Sequence, residues 1–141
     1  MGGGRQLYSV PTDGSQAPIK LTSQTAISVP GENGGAAVRA AITPDSTKAL
    51  FLSRPDPAKP AEYELWVTPI AQAAPTKLAG PLAIYFPDLR LTPDGTVAVF
   101  TAGTFPGFRI YRVPVDGSAS EQPVSAVGQN VIVSEYQMSP N

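Results

Sequence analysis

Thr43-Pro44-Asp45-Ser46-Thr47-Lys48-Ala49-Leu50-Phe51 returns as Thr92-Pro93-Asp94-Gly95-Thr96-Val97-Ala98-Val99-Phe100, and begins again as Ser139-Pro140-Asn141. The three motif prolines are 49 and 47 residues apart. A second motif interleaves with the first: Leu7-Tyr8-Ser9-Val10-Pro11, Leu65-Trp66-Val67-Thr68-Pro69 and Ile110-Tyr111-Arg112-Val113-Pro114, its aromatics 58 and 45 residues apart. Self-similarity at this period, with several short strands in each unit, marks an array of small sheets that bury their faces against one another.

Working outward from these motifs, β-branched and aromatic residues cluster in runs of four to eight bounded by Pro, Gly, Asp and Ser, which is a strand pattern. Helical periodicity is weak, and Pro69–Lys77 reads as a hairpin connection because Pro75 interrupts it. Each unit is expected to hold four strands. The first precedes the Thr-Pro-Asp turn (Ala36–Ile42, Ile84–Leu91, Val131–Met138), and the second follows it (Ala49–Leu52, Val97–Thr101). The third carries the aromatic motif (Gln6–Val10, Glu64–Thr68, Arg109–Pro114), and the fourth is short (Ile19–Leu21, Thr76–Leu78, Gln122–Val124). In the turns, proline presets φ and Asp tolerates the bridge region, while Gly95 supplies a positive φ. Ser46 stands where that glycine would be, so strain is expected there. Asp13-Gly14 and Asp116-Gly117 mark hairpins between third and fourth strands.

The fold expected is all-β, with propeller-type blades of four antiparallel strands, about three per chain. The organisation reads as a leader over 1–5, a partial N-terminal blade with a polar loop over 6–35, a blade over 36–80, a second over 81–130, and the first strand of an incomplete blade over 131–141. Thr22–Gly35 within the first unit is expected to be a mobile loop. A ring needs about four to eight blades, so closure requires a longer parent or self-association. Two copies would give about six blades, Val131–Met138 of one joining Gln6–Val10 and Ile19–Leu21 of the other in a sheet lacking its second strand.

The 141 residues include 16 prolines and 13 glycines, in keeping with short strands and tight turns, and the net charge is −1. Interspersed charge at that balance argues against nucleic acid as a partner, and no apolar run is long enough for membrane insertion by a helix. Neither cysteine nor histidine is present. That excludes disulfides, thiolate nucleophiles, Ser-His-Asp chemistry and thiolate or imidazole metal sites. No Gly-x-Ser-x-Gly or phosphate-loop pattern occurs, and no cofactor is expected.

The quoted motifs resemble the TolB-type, WD-like β-propeller repeat. Thr43-Pro44-Asp45-Ser46 and Thr92-Pro93-Asp94-Gly95 match its turn, Phe51 and Phe100 its strand end, and Leu65-Trp66 its Leu-Trp pair, with Leu7-Tyr8 and Ile110-Tyr111 as variants. The resemblance spans most of residues 6–141. It implies a bacterial, periplasmic or extracytoplasmic setting and a role in binding proteins or peptides, or in gating a catalytic domain.

Candidate site residues follow from the units. In a propeller the first strand lines the channel. Arg39, Asp88 and Glu135 lie five residues before each motif proline, with Ala41, Arg90 and Gln137 two further on. Alternation sets them opposite the apolar Ala40/Leu89/Tyr136 and Ile42/Leu91/Met138. Arg39, Asp88, Arg90 and Glu135 are therefore the channel or ligand candidates, with arginine able to grip a carboxylate in bidentate fashion. The alternative is an ion-pair network between blades. Phe105 and Phe108, if exposed together, would form a partner patch; packing beneath their loop is the other reading. Glu62 and Glu64 read as a solvated strand face, and Tyr8, Trp66 and Tyr111 as packing between units. The function expected is a non-enzymatic protein- or peptide-binding module. Alternatives are a propeller-type hydrolase or lyase with a carboxylate and arginine site at the channel mouth, assisted by an oxygen-bound metal, or a purely structural part of a larger propeller.

Overall fold

A computed structural model describes residues 7–22, 40–53, 58–59, 62–72, 74–83, 88–103 and 108–124. Every regular element among them is a strand. In chain order these are β1 (Tyr8–Ser9), β2 (Ile19–Lys20), β3 (Ala40–Ile42), β4 (Lys48–Ser53), β5 (Glu62–Pro69), β6 (Thr76–Ala83), β7 (Leu89–Leu91), β8 (Val97–Ala102), β9 (Arg109–Pro114) and β10 (Gln122–Pro123). Among the described residues no helix is long and apolar enough to cross a membrane.

The strands form three antiparallel sheets: β1-β2, then β3-β4-β5-β6, then β7-β8-β9-β10. Each four-stranded sheet is a meander in which every strand pairs with its sequence neighbour, so only short connections are needed. The described residues form no closed ring. The two registers superpose: Phe51 pairs with Trp66 and Phe100 with Tyr111, while Ala49 pairs with Thr68 and Ala98 with Val113. The repeat in the sequence is thus a repeat in space.

The turns that begin each sheet are built alike. Ser46 N donates to Thr43 O, and Gly95 N to Thr92 O, both at 2.8 Å. Thr43 Oγ1 donates to Asp45 Oδ1 at 2.6 Å, Thr47 N donates to the same oxygen at 3.1 Å, and Thr47 Oγ1 donates to Asp45 Oδ2 at 2.9 Å. Asp94 receives the same three bonds from Thr92 and Thr96 at the same distances. The expected strain is present: Ser46 has φ 58°, where its counterpart Gly95 has 72°. The Asp-Gly hairpins repeat as well. Gly14 N donates to Pro11 O and Gly117 N to Pro114 O, with glycine φ of 68° and 74°. Each is a tight turn with glycine in the left-handed position, set within a longer connection, since Ser9 pairs with Ile19 and Arg112 with Gln122.

Core residues lie where the two larger sheets meet. Leu50, Leu52, Leu65 and Val67 form one face of β3-β6, against Ala98, Phe100, Ala102 and Val113 of β7-β10. Phe100 stacks on Tyr111 with ring centroids 5.8 Å apart. β3 runs beside β7, and β6 meets β9.

Strand extents differ from expectation in places. The fourth strand of the middle unit continues to Ala83 rather than stopping at Leu78, running along β5 through register shifts near Leu65. The first strands are shorter among the described residues, Ala40–Ile42 and Leu89–Leu91. Positions 36–39 and 84–87, Val131–Met138, and all of the Thr22–Gly35 loop except Thr22 lie outside the described residues.

Candidate functional site: an apolar groove beside the first strand

Cross-strand partners share a sheet face. Leu89 pairs with Phe100 and Leu91 with Ala98, and these leucines pack against the core where β3-β6 covers them. The matching positions one unit earlier are Ala40, paired with Phe51, and Ile42, paired with Ala49. They share the opposite face of β3-β6, the one turned toward β1-β2. The apolar alternation expected at Ile42 is therefore present, but the burial is not: Ile42 is 61% exposed. The reason is coverage. β1 and β2 match the third and fourth strands of a unit, so they lie over only part of that face.

The result is a hollow of about 500 Å³ between the two sheets, walled by Leu7, Tyr8, Val10, Ala40, Ile42 and Ala49. Tyr8 is 53% and Val10 57% exposed. Ser9 Oγ donates to Ile70 O at 3.2 Å, tying β1 across the hollow. A second hollow of about 400 Å³ shares Ser9, Val10, Ser46 and Ile70 and continues past Pro11 and Gln16. Neither contains a charged wall residue. Exposed apolar side chains gathered around a concave surface mark a contact site more than singly scattered ones do. Tyr8 thus departs from its counterpart Tyr111, which packs between sheets. The sequence-based candidates Arg39, Asp88, Arg90 and Glu135 belong to first strands, whereas this hollow is walled partly by β1, a strand of the aromatic motif.

β1 also offers a backbone edge. Leu21 N donates to Leu7 O at 2.8 Å, and Leu7 N donates to Thr22 Oγ1 at 3.2 Å, so the polar groups of Leu7 face β2. Alternation turns those of Tyr8 and Val10 the other way. Among the described residues β1 pairs only with β2. In the full sheets the matching residues Tyr111 and Val113 pair with Phe100 and Ala98 of the second strand.

Of the channel candidates, Asp88 and Arg90 pair with each other: Arg90 Nε lies 3.3 Å from Asp88 Oδ2 and 3.4 Å from Oδ1, both side chains substantially exposed. Arg39 and Glu135 lie outside the described residues. β3 runs beside β7, the strand bearing Arg90. Phe108 is 4% exposed, so it is a packed residue and offers no surface ring; Phe105 lies outside the described residues. Glu62 is bound by Lys59 at 3.1 Å, and Glu64 by Lys77 at 3.3 Å and by Trp66 Nε1 at 3.2 Å.

The turn aspartates Asp45, Asp94 and Asp116 line a smaller hollow of about 200 Å³ with Lys48. Hydroxyl and amide donors from Thr43 and Thr47 hold the Asp45 carboxyl below its ordinary value, and Thr92 and Thr96 do the same for Asp94. Ser118 lowers Asp116, and Lys48 adds a smaller pull on Asp45 and Asp116. Their oxygens are already engaged by the turns they close. Among the described residues no group of three or more acidic side chains is placed to hold a metal ion.

No protein-family model and no curated protein matches this chain.

Proposed function

We propose that this chain is a non-enzymatic binding module built of propeller-type blades, which takes a protein or peptide segment in the groove beside β1. The observation that carries the reading is the uncharged hollow walled by Tyr8, Val10 and Ile42, whose side chains are more than half exposed. The blade reading draws support from two superposable meanders stacked face to face, from the shared turn networks, and from the resemblance to TolB-type repeats. It carries with it a head-to-tail pair of chains giving about six blades, whose shared sheet lacks its second strand and so leaves that place beside β1 open, and, by resemblance, an extracytoplasmic setting.

Selection from a random peptide library against the immobilised chain tests the binding role. Enriched peptides should bind the intact protein and lose at least tenfold in affinity, about 1.4 kcal/mol, to Ile42→Asp. Ile42 is exposed, so that variant keeps its fold. Absence of enrichment, or binding indifferent to Ile42→Asp, would overturn the reading.

A further inference from the structure

We infer that the groove accepts its ligand as an added β-strand, antiparallel to β1, carrying a small residue and an aromatic two positions apart. This rests on the binding role just proposed and specifies its chemistry.

The chain's own repeats supply the template. In both complete sheets the aromatic-motif strand is flanked by a second strand, β4 beside β5 and β8 beside β9. Those second strands read Ala49-Leu50-Phe51-Leu52 and Ala98-Val99-Phe100-Thr101. In each, the phenylalanine stands opposite the motif aromatic, and the alanine opposite the residue two further along. β1 has the motif aromatic, Tyr8, and the following Val10, with their backbone groups directed to the edge where such a strand would lie. Backbone pairing supplies affinity in this mode, and pockets for alternate side chains supply selectivity.

The uncovered face agrees. One unit later, the leucines that correspond to Ala40 and Ile42 pack against the core cluster that includes Leu50 and Leu52 of the preceding sheet, and β3 runs beside their strand. A strand seated against β1 would stand over Ile42 and Ala49 in the same way. Its inner side chains would enter the hollow, and its aromatic would sit beside Tyr8 as Phe100 sits beside Tyr111. Charged residues at those positions would be buried against uncharged walls and are excluded on desolvation grounds. Two described second-strand copies exist in each chain, and both are interior to their sheets. The second strands of a second copy's described sheets are thus committed to their own neighbours, and the inferred occupant is a segment of a partner.

The test uses the full chain and a fluorescent synthetic peptide of sequence Thr96–Ala102 with lysines at both ends for solubility. Saturable binding is expected in the micromolar to low millimolar range, about −8 to −4 kcal/mol. An aspartate at the peptide's Phe100 position should weaken it at least tenfold. Val10→Pro in the chain, which removes an edge-facing donor, should do the same, and amide shifts on binding should centre on Tyr8 and Val10. The peptide variant leaves the protein untouched, so it decides the matter even if Val10→Pro unfolds. No saturable binding, or binding insensitive to the aromatic, overturns the strand inference. If library peptides then still bind in an Ile42-dependent way, the binding role stands without it; if none do, both fall. Peptide that binds only by splitting a pre-existing dimer would show that a second copy fills the edge, and would also overturn the inference.

Discussion

Asp45 and Asp94 show how much of this structure is decided within five residues. Each carboxylate receives two hydroxyls and one amide from the threonines on either side of it, and nothing beyond the turn is required. A carboxyl held below its ordinary 3.8 adds stability that is present above that value and lost as the pH falls through the depressed one. The melting temperature should therefore drop on acidification below about pH 4. The double variant Asp45→Asn, Asp94→Asn should melt lower at neutral pH and lose part of its acid dependence, as a calorimetric pH series would read. The position after each aspartate gives a paired prediction. Ser46 holds φ 58°, which costs an L-residue about 1–2 kcal/mol. Ser46→Gly should recover about 0.5–1 kcal/mol after glycine's larger chain entropy is counted. Gly95→Ala should lose about 2 kcal/mol or more, because a Cβ there would stand 2.5 Å from Pro44 Cδ. Gly14→Ala, with φ 68° but nothing within 4 Å of the new atom, should lose less. Urea unfolding of the three variants would rank them.

At the scale of strands, legibility follows how local the cause is. Turn residues, strand order and the equivalence of Phe51 with Phe100 were readable because proline, Asp-Gly and period-2 alternation act over a few positions. The exposure of Ile42 was not, and for Phe108 the sequence offered packing and exposure side by side. Their alternation says which residues share a face, but whether that face is wet depends on a sheet contributed from elsewhere in the chain. Phe108 sits at the edge of a proline- and glycine-rich loop and still packs to 4% exposure. Likewise the Asp88–Arg90 pair was anticipated as residues on one face, whereas their partnership with each other needed coordinates. The energetic contrast is measurable. Phe100→Ala, at a fully buried site stacked on Tyr111, should cost about 3–5 kcal/mol, and Phe108→Ala about 3 kcal/mol. Arg90→Ala should change stability by less than about 1 kcal/mol, because exposed ion pairs contribute little. Denaturant midpoints at constant slope would separate the two classes.

At the scale of the whole molecule, the three sheets are unequal: two are complete meanders, and the described part of the first is a hairpin. The proposed head-to-tail pairing predicts a native mass near twice 14.7 kDa by light scattering, stable across a dilution series. A cooperative monomer at every concentration would remove that arrangement while leaving the groove in place. The matched turn networks have one more consequence, for how such a chain changes length over generations. Each complete sheet shows its predecessor the same small-and-aromatic pair, Ala49 with Phe51 and Ala98 with Phe100, and is sealed at its start by bonds confined to its own turn. A gene segment duplicated from one Thr-Pro-Asp turn to the next would encode a unit that meets familiar surfaces on both sides. Lengthening then invents no new contact, and the number of units is free to drift while the seam between them is kept.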